Sequence, residues 1–139
     1  MEFVSMDVSC FEECKRLAES GDASKQVELG DIYYNGDGVP KDDAEAVRWY
    51  RLSAEQGDAL GQRYLGWMYT NGQGVPQDDA EAVRWYRLSA EQGDAGAQYN
   101  LGNAYYTGQG VSKNYDEARK WWTKAAEQGV EAAEKNLLL

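Results

Sequence analysis

Cys10 and Cys14 stand four residues apart, a spacing that places two thiols on one face of a helix. Such a pair could start a zinc site or a redox couple. Structural zinc takes four ligands, drawn mostly from Cys and His. The 139-residue chain has no other Cys and no His. Helical i, i+4 geometry rarely suits a disulfide. The two are therefore expected to be small, partly buried apolar residues. The absence of His also removes the usual general acid or base, the Ser–His and Cys–His nucleophile pairs and the HExxH zinc site. Gly36-Asp37-Gly38 has the composition of a phosphate-cradling loop. It follows a helical pattern rather than a strand, lacks a third glycine at the right offset, and has counterparts at Gly72 and Gly108. It is expected to be a helix stop. Asp37, Asp42 and Asp43 offer oxygen ligands for calcium, but not at EF-hand spacing, and helix capping accounts for two of them. No catalytic residue, metal site or cofactor is expected.

Charge narrows the partners. The formal net charge is -10 and the pI about 4.4. Nucleic acids and anionic membrane surfaces recruit basic patches, so neither is expected as a partner. No apolar run approaches the ~20 residues of a membrane span. The opening MEFVSMDVSC lacks the basic and apolar regions of a secretory signal, and a cytoplasmic location is expected.

The elements that must carry any function come from a repeat. Gly38 to Ala59 and Gly74 to Ala95 spell the same phrase, differing only at Lys41 and Gln77, with a looser third copy from Gly110 to Val130. A period of this length means stacked like units rather than one closed globule. In each unit a first helix, A, is marked by Gln26, Leu29, Gly30 and Tyr33, with equivalents at Gln62, Leu65, Gly66, Tyr69 and at Gln98, Leu101, Gly102, Tyr105. This is an i, i+3, i+4, i+7 stripe. A glycine recurring in mid-helix implies that another helix backbone passes close by. Helix A ends at Gly36, Gly72 and Gly108. Pro40 and Pro76 keep helix from resuming early.

Helix B opens on Asp42-Asp43-Ala44-Glu45, on Asp78-Asp79-Ala80-Glu81 and on Asn114-Tyr115-Asp116-Glu117, variants of a capping box. Its buried face carries Ala46, Trp49, Tyr50, Ser53 and Ala54 and their equivalents. Asp58 and Asp94 cap the next helix A after a very short turn, which makes neighbours antiparallel. The expected organisation is one domain. It comprises an N-terminal capping helix (1–22), repeats at 23–58, 59–94 and 95–130, and a partial fourth repeat (131–139) with Leu137 at the Leu29 position. Leu137-Leu138-Leu139 either packs back or forms an apolar seam for another chain.

The combined pattern, A-x-x-Q-x-x-L-G-x-x-Y-x-x-G-x-G-V-P-x-D-x-x-x-A-x-x-W-Y-x-x-x-A-x-x-G, closely resembles the Sel-1-like repeat, a relative of the tetratricopeptide repeat. The resemblance covers Ala23 to Val130 in full and both ends in part. It implies an all-α fold, a right-handed α–α superhelix of antiparallel helix pairs with partial repeats at both ends. It also implies a role as adaptor or scaffold, in bacteria often tied to signalling, secretion, envelope functions or host interaction. Two departures stand out. The paired cysteines that staple each repeat in some secreted members are missing, and Ser112 replaces the loop proline in the third copy. Some relatives are suggested to act on penicillin-like compounds, chemistry that uses Ser-x-x-Lys. None of the seven serines here has Lys three places on.

In tetratricopeptide arrays the concave wall is formed by helix A residues outside the packing stripe. Carried over by register, these are Ser24, Val27, Asp31, Tyr34 and Asn35, then Leu60, Arg63, Trp67, Thr70 and Asn71, then Gly96, Tyr99, Asn103, Tyr106 and Thr107. They differ between copies, as contact positions in a repeat protein do. Trp67 has no evident packing reason to be large, and aromatic anchors beside Arg are common at protein interfaces. The expected function is non-enzymatic binding of a peptide or protein in this groove. Tyr34, Trp67 and Tyr106 packing on one another across repeats is the competing expectation. A structural protein that self-associates weakly through the C-terminal leucines is the alternative function. A hydrolase or small-molecule binder using groove carboxylates is a distant third.

Overall fold

The computed structural model describes residues 2–139. Eight helices and no strand occur among them: α1 (Glu2–Glu19), α2 (Ala23–Asn35), α3 (Asp43–Glu55), α4 (Ala59–Asn71), α5 (Asp79–Glu91), α6 (Ala95–Thr107), α7 (Tyr115–Glu127) and α8 (Glu131–Asn136). None is long and apolar enough to cross a membrane. Each helix packs on its neighbours in sequence, and the helix A elements α2 and α4 also touch. The result is a stack of A/B pairs, with α1 packed on its first helix.

Aspartates open the helices as their positions require. Asp22, Asp58 and Asp94 accept from the backbone N–H of Lys25, Gly61 and Ala97 at 2.9–3.0 Å. Asp42, Asp78 and Asn114 do the same for Glu45, Glu81 and Glu117 at 3.0–3.1 Å. Only half of the expected capping box forms. The Asp42 N–H donates instead to the Tyr33 carbonyl at 2.9 Å, tying helix B to helix A of its own repeat. The Glu45 carboxylate, thus released, pairs with Arg48 at 3.1 Å on the surface. Asp42 is therefore a cap, and Asp43 accepts from Lys41 at 2.6 Å; two of the three carboxylates weighed as calcium ligands have structural work.

The core is periodic. Leu29, Leu65 and Leu101 are fully buried, and Trp49, Trp85 and Trp121 nearly so. The recurrent mid-helix glycines answer to rings rather than to a passing helix backbone. A Cβ at Gly30 would lie 2.5 Å from Tyr50 Cε1, and one at Gly102 would lie 2.5 Å from Trp122 Cδ1. At Gly66 the nearest atoms also belong to a ring, Tyr86, with the Ala82 carbonyl oxygen at 3.2 Å. The glycine makes a socket for the aromatic residue of its own helix B.

A buried amide ladder joins the repeats. Gln62 Nε2 donates to the Ala54 carbonyl at 3.3 Å, and its Oε1 accepts from Gln92 at 2.8 Å. Gln92 also reaches back to the Gly57 carbonyl at 2.9 Å. Gln98 and Gln128 repeat the arrangement one unit on, and Gln26 and Gln56 precede it. Buried polar groups stripped of a partner cost about 1–3 kcal/mol each. Gln62→Leu leaves the Ala54 carbonyl with only the Gly57 N–H at 3.0 Å and removes one buried bond of Gln92. It is expected to lower unfolding free energy by about 1–3 kcal/mol, measurable by urea denaturation.

At the ends, Cys14 is buried with its thiol 3.6 Å from the Lys25 carbonyl, whereas Cys10 is exposed. The expectation that both are partly buried fails for Cys10, which is exposed at the mouth of the cleft between α1 and α2. Leu137 packs back onto the third-repeat core, while Leu138 and Leu139 are exposed.

Candidate functional site: a groove on the helix A face

The groove is shaped by how each repeat anchors one ring. Tyr50, Tyr86 and Trp122 occupy the same place in helix B and fill the glycine sockets. Each carries a polar atom that must find a partner near the surface. Tyr50 Oη donates to Asp31 Oδ1 at 2.6 Å. Trp122 Nε1 donates to Asn103 Oδ1 at 3.1 Å. Asp31 and Asn103 are equivalent positions, and the residue between them is Trp67. In the second repeat the duty moves one turn along, to Thr70, whose Oγ1 lies 3.1 Å from Tyr86 Oη. That shift releases position 67 from anchoring the ring. Trp67 remains 39% exposed, its ring nearly perpendicular to that of Tyr34 at a centroid distance of 5.7 Å.

Two clefts meet at Trp67 and Asn100. The larger, about 420 Å³, opens between α2 and α4. Asp31, Tyr34 and Asn35 form one side, Arg63, Tyr64 and Trp67 the other, and Tyr50 and Met68 also line it. The smaller, about 250 Å³, opens between α4 and α6 and brings together Thr70, Asn71 and Asn103 with Tyr86 and Asp79. Burial pushes the Asp31 carboxyl above the ordinary carboxylate range; the Tyr50 hydrogen bond draws it partly back, and nearby Glu28 adds to the rise. The Tyr50 phenol is driven well up by burial and then by that same hydrogen bond. Arg63 is held by Asp94 at 2.7 Å and lies over the Tyr64 ring at 5.1 Å. The surface thus offers rings, amides and two carboxylates without an ion pair among the described residues, Asp31 and Asp79. It is suited to gripping a chain of mixed polarity.

The Sel1 repeat model matches residues 26–58, 59–94 and 95–130. The chain belongs to the Sel1 repeat family. Among solved structures it is similar to a Sel1 repeat protein from Oxalobacter formigenes, at 46% identity and a TM-score of 0.84, over 91% of this chain and 96% of that one. It is also similar to a protective antigen present in uropathogenic Escherichia coli strains, a protein displaying an SLR fold. There the identity is 38% and the TM-score 0.71, covering 88% of this chain but 34% of that one. Helicobacter pylori cysteine rich protein B matches at 25% identity and a TM-score of 0.72, over 91% and 96%. No curated protein matches the chain. Sel1 repeat proteins are typically non-enzymatic scaffolds and generally mediate protein–protein interaction.

Within this Sel1 array the residues assigned to the groove by register divide. Asp31, Tyr34, Asn35, Arg63 and Trp67 share the first cleft, and Thr70, Asn71 and Asn103 the second. Tyr99 and Tyr106 lie outside both, half-buried against the third-repeat core. Tyr106 stacks at 5.2 Å on Trp122 and 5.1 Å on Tyr115, within its own repeat rather than on Trp67. Val27 is buried, since its position faces the neighbouring repeat. The residues missed are Tyr64 and Asn100. They sit three places before Trp67 and Asn103 and complete the same helical ridge. Their equivalent, Glu28, also differs, so variation between copies marked this position too.

Proposed function

We propose that this Sel1 array is a non-enzymatic adaptor that holds an extended polypeptide segment along the helix A face, with Trp67 as the anchor. The observation that carries this is the release of position 67. Its counterparts Asp31 and Asn103 brace a core ring, whereas Trp67 braces none and presents a large ring between two adjoining clefts. Backbone groups of an extended chain find partners in the amides of Asn35, Asn71 and Asn100, while the rings supply apolar contact. Buried aromatic anchors of this kind dominate interface energetics.

The test is a displayed random-peptide selection against the wild-type protein, followed by affinity measurement on Trp67→Ala. The variant is expected to lose about 2 kcal/mol or more of binding, roughly 30-fold in Kd. Its stability should fall by about 1–3 kcal/mol, from the buried part of the ring and its contact with Tyr34, and by less than for the buried Trp85. Unchanged affinity would refute the anchor, and a collapse of stability would show Trp67 to be a core residue.

A further inference from the structure

We propose that the cleft between α2 and α4 selects an arginine side chain of the bound polypeptide, its guanidinium lying over Trp67 and facing Asp31. This rests on the groove function above and specifies what the groove recognises.

The first ground is a surplus charge. Asp31 accepts from Tyr50 at 2.6 Å and forms no ion pair among the described residues. The equivalent Asn103 anchors Trp122 through a neutral amide. Bracing the ring therefore does not require a carboxylate, and the negative charge at position 31 is free for another purpose. Keeping it half-buried without a counter-charge is costly, and an incoming cation relieves that cost. The cation already in the cleft does not do so, because Arg63 is committed to Asp94 at 2.7 Å.

The second ground is an exposed indole with no cation over it. Trp49 and Trp85 carry Arg48 and Arg84 over their rings at 4.4 Å, and Trp121 carries Lys120 at 5.0 Å. Two tyrosines of the cleft are also covered, Tyr34 by Lys41 at 4.3 Å and Tyr64 by Arg63 at 5.1 Å. Trp67 is more exposed than the four other tryptophans and has no such cation among the described residues; Trp122, the other indole without one, is buried and packed on by Tyr106. Tryptophan is the strongest cation–π acceptor among the side chains. Arginine suits the cleft better than lysine because a planar guanidinium can stack on the indole while its edge donates to a carboxylate.

The experiment is a 1H–15N NMR titration with N-acetyl-arginine amide and with its neutral isostere, N-acetyl-citrulline amide. The arginine compound is expected to shift the Trp67 indole and the Asp31 backbone amide saturably, at least about fivefold more tightly than citrulline. Asp31→Asn keeps the acceptor for Tyr50 and removes the uncompensated charge, and should therefore keep a urea midpoint at or above that of wild type while abolishing the preference. Equal binding of the two compounds overturns the proposal. So does a preference that survives in Asp31→Asn, or no shift with arginine up to about 100 mM. Selected peptides that bind the groove without a basic residue would overturn arginine selection and leave the adaptor function standing. Selected peptides that bind elsewhere would overturn both.

Discussion

Trp85→Ala is expected to remove about 3–5 kcal/mol of unfolding free energy, the range for deleting a buried large aromatic side chain. Trp85 is 5% exposed and belongs to the cluster that includes Val47 of α3 and Leu65 and Met68 of α4. It therefore joins the first repeat to the second, and the void left by alanine opens at a junction of the stack. Stability in a repeat array is close to a sum of unit and interface terms. A weakened junction should then also lower the cooperativity of urea unfolding, seen as a smaller denaturant slope. The Trp85 indole N–H has no hydrogen-bond partner. Trp85→Phe accordingly forfeits no hydrogen bond and should cost less than about half as much as alanine. A loss below about 1 kcal/mol for Trp85→Ala would show that the junction closes by other contacts.

Gly74→Ala is expected to be the next most damaging change, with Gly38→Ala as its internal control. Both glycines have left-handed backbone, φ +73° and +77°. Alanine at either site bears the left-handed penalty of about 1–2 kcal/mol. Their surroundings differ. A Cβ at Gly74 would press on the Asp43 carbonyl oxygen and lie 2.7 Å from its carbon, whereas at Gly38 nothing lies within 4 Å. The Gly74 loop sits directly on the first turn of α3 in the preceding repeat. Gly110 meets Asp79 in the same way. Gly74→Ala should therefore cost about 1–3 kcal/mol more than Gly38→Ala, read from paired urea titrations. Equal losses would mean that the loop yields and that the contact between repeats adds nothing.

Much of this architecture was legible before any coordinates. Phrase repetition marked the units, and Asp or Asn before each helix marked the starts. The Leu-Gly pairs marked the buried stripe. What the sequence could not convey was direction. Val27 and Tyr99 vary between copies because each meets a different neighbour in the stack. Tyr64 and Asn100 vary while facing the groove. Both kinds of variation look alike until the angle between helices is known. The glycine sockets differ from the expected backbone approach for a related reason. A recurring glycine signals close approach but does not say whether a ring or a backbone approaches. The amide ladder had a readable trace in the recurrence of Gln56, Gln92 and Gln128, each thirty residues after a stripe glutamine. The release of Trp67 from ring-bracing duty required seeing that Thr70 had taken it over.

Amide hydrogen exchange with and without a saturating selected peptide tests the central claim most directly. Slowed exchange should concentrate in α2, α4 and α6, strongest around Asp31, Trp67 and Asn100. Protection confined to α3, α5 and α7 would place the partner on the opposite side of the stack and contradict a binding groove on the helix A face.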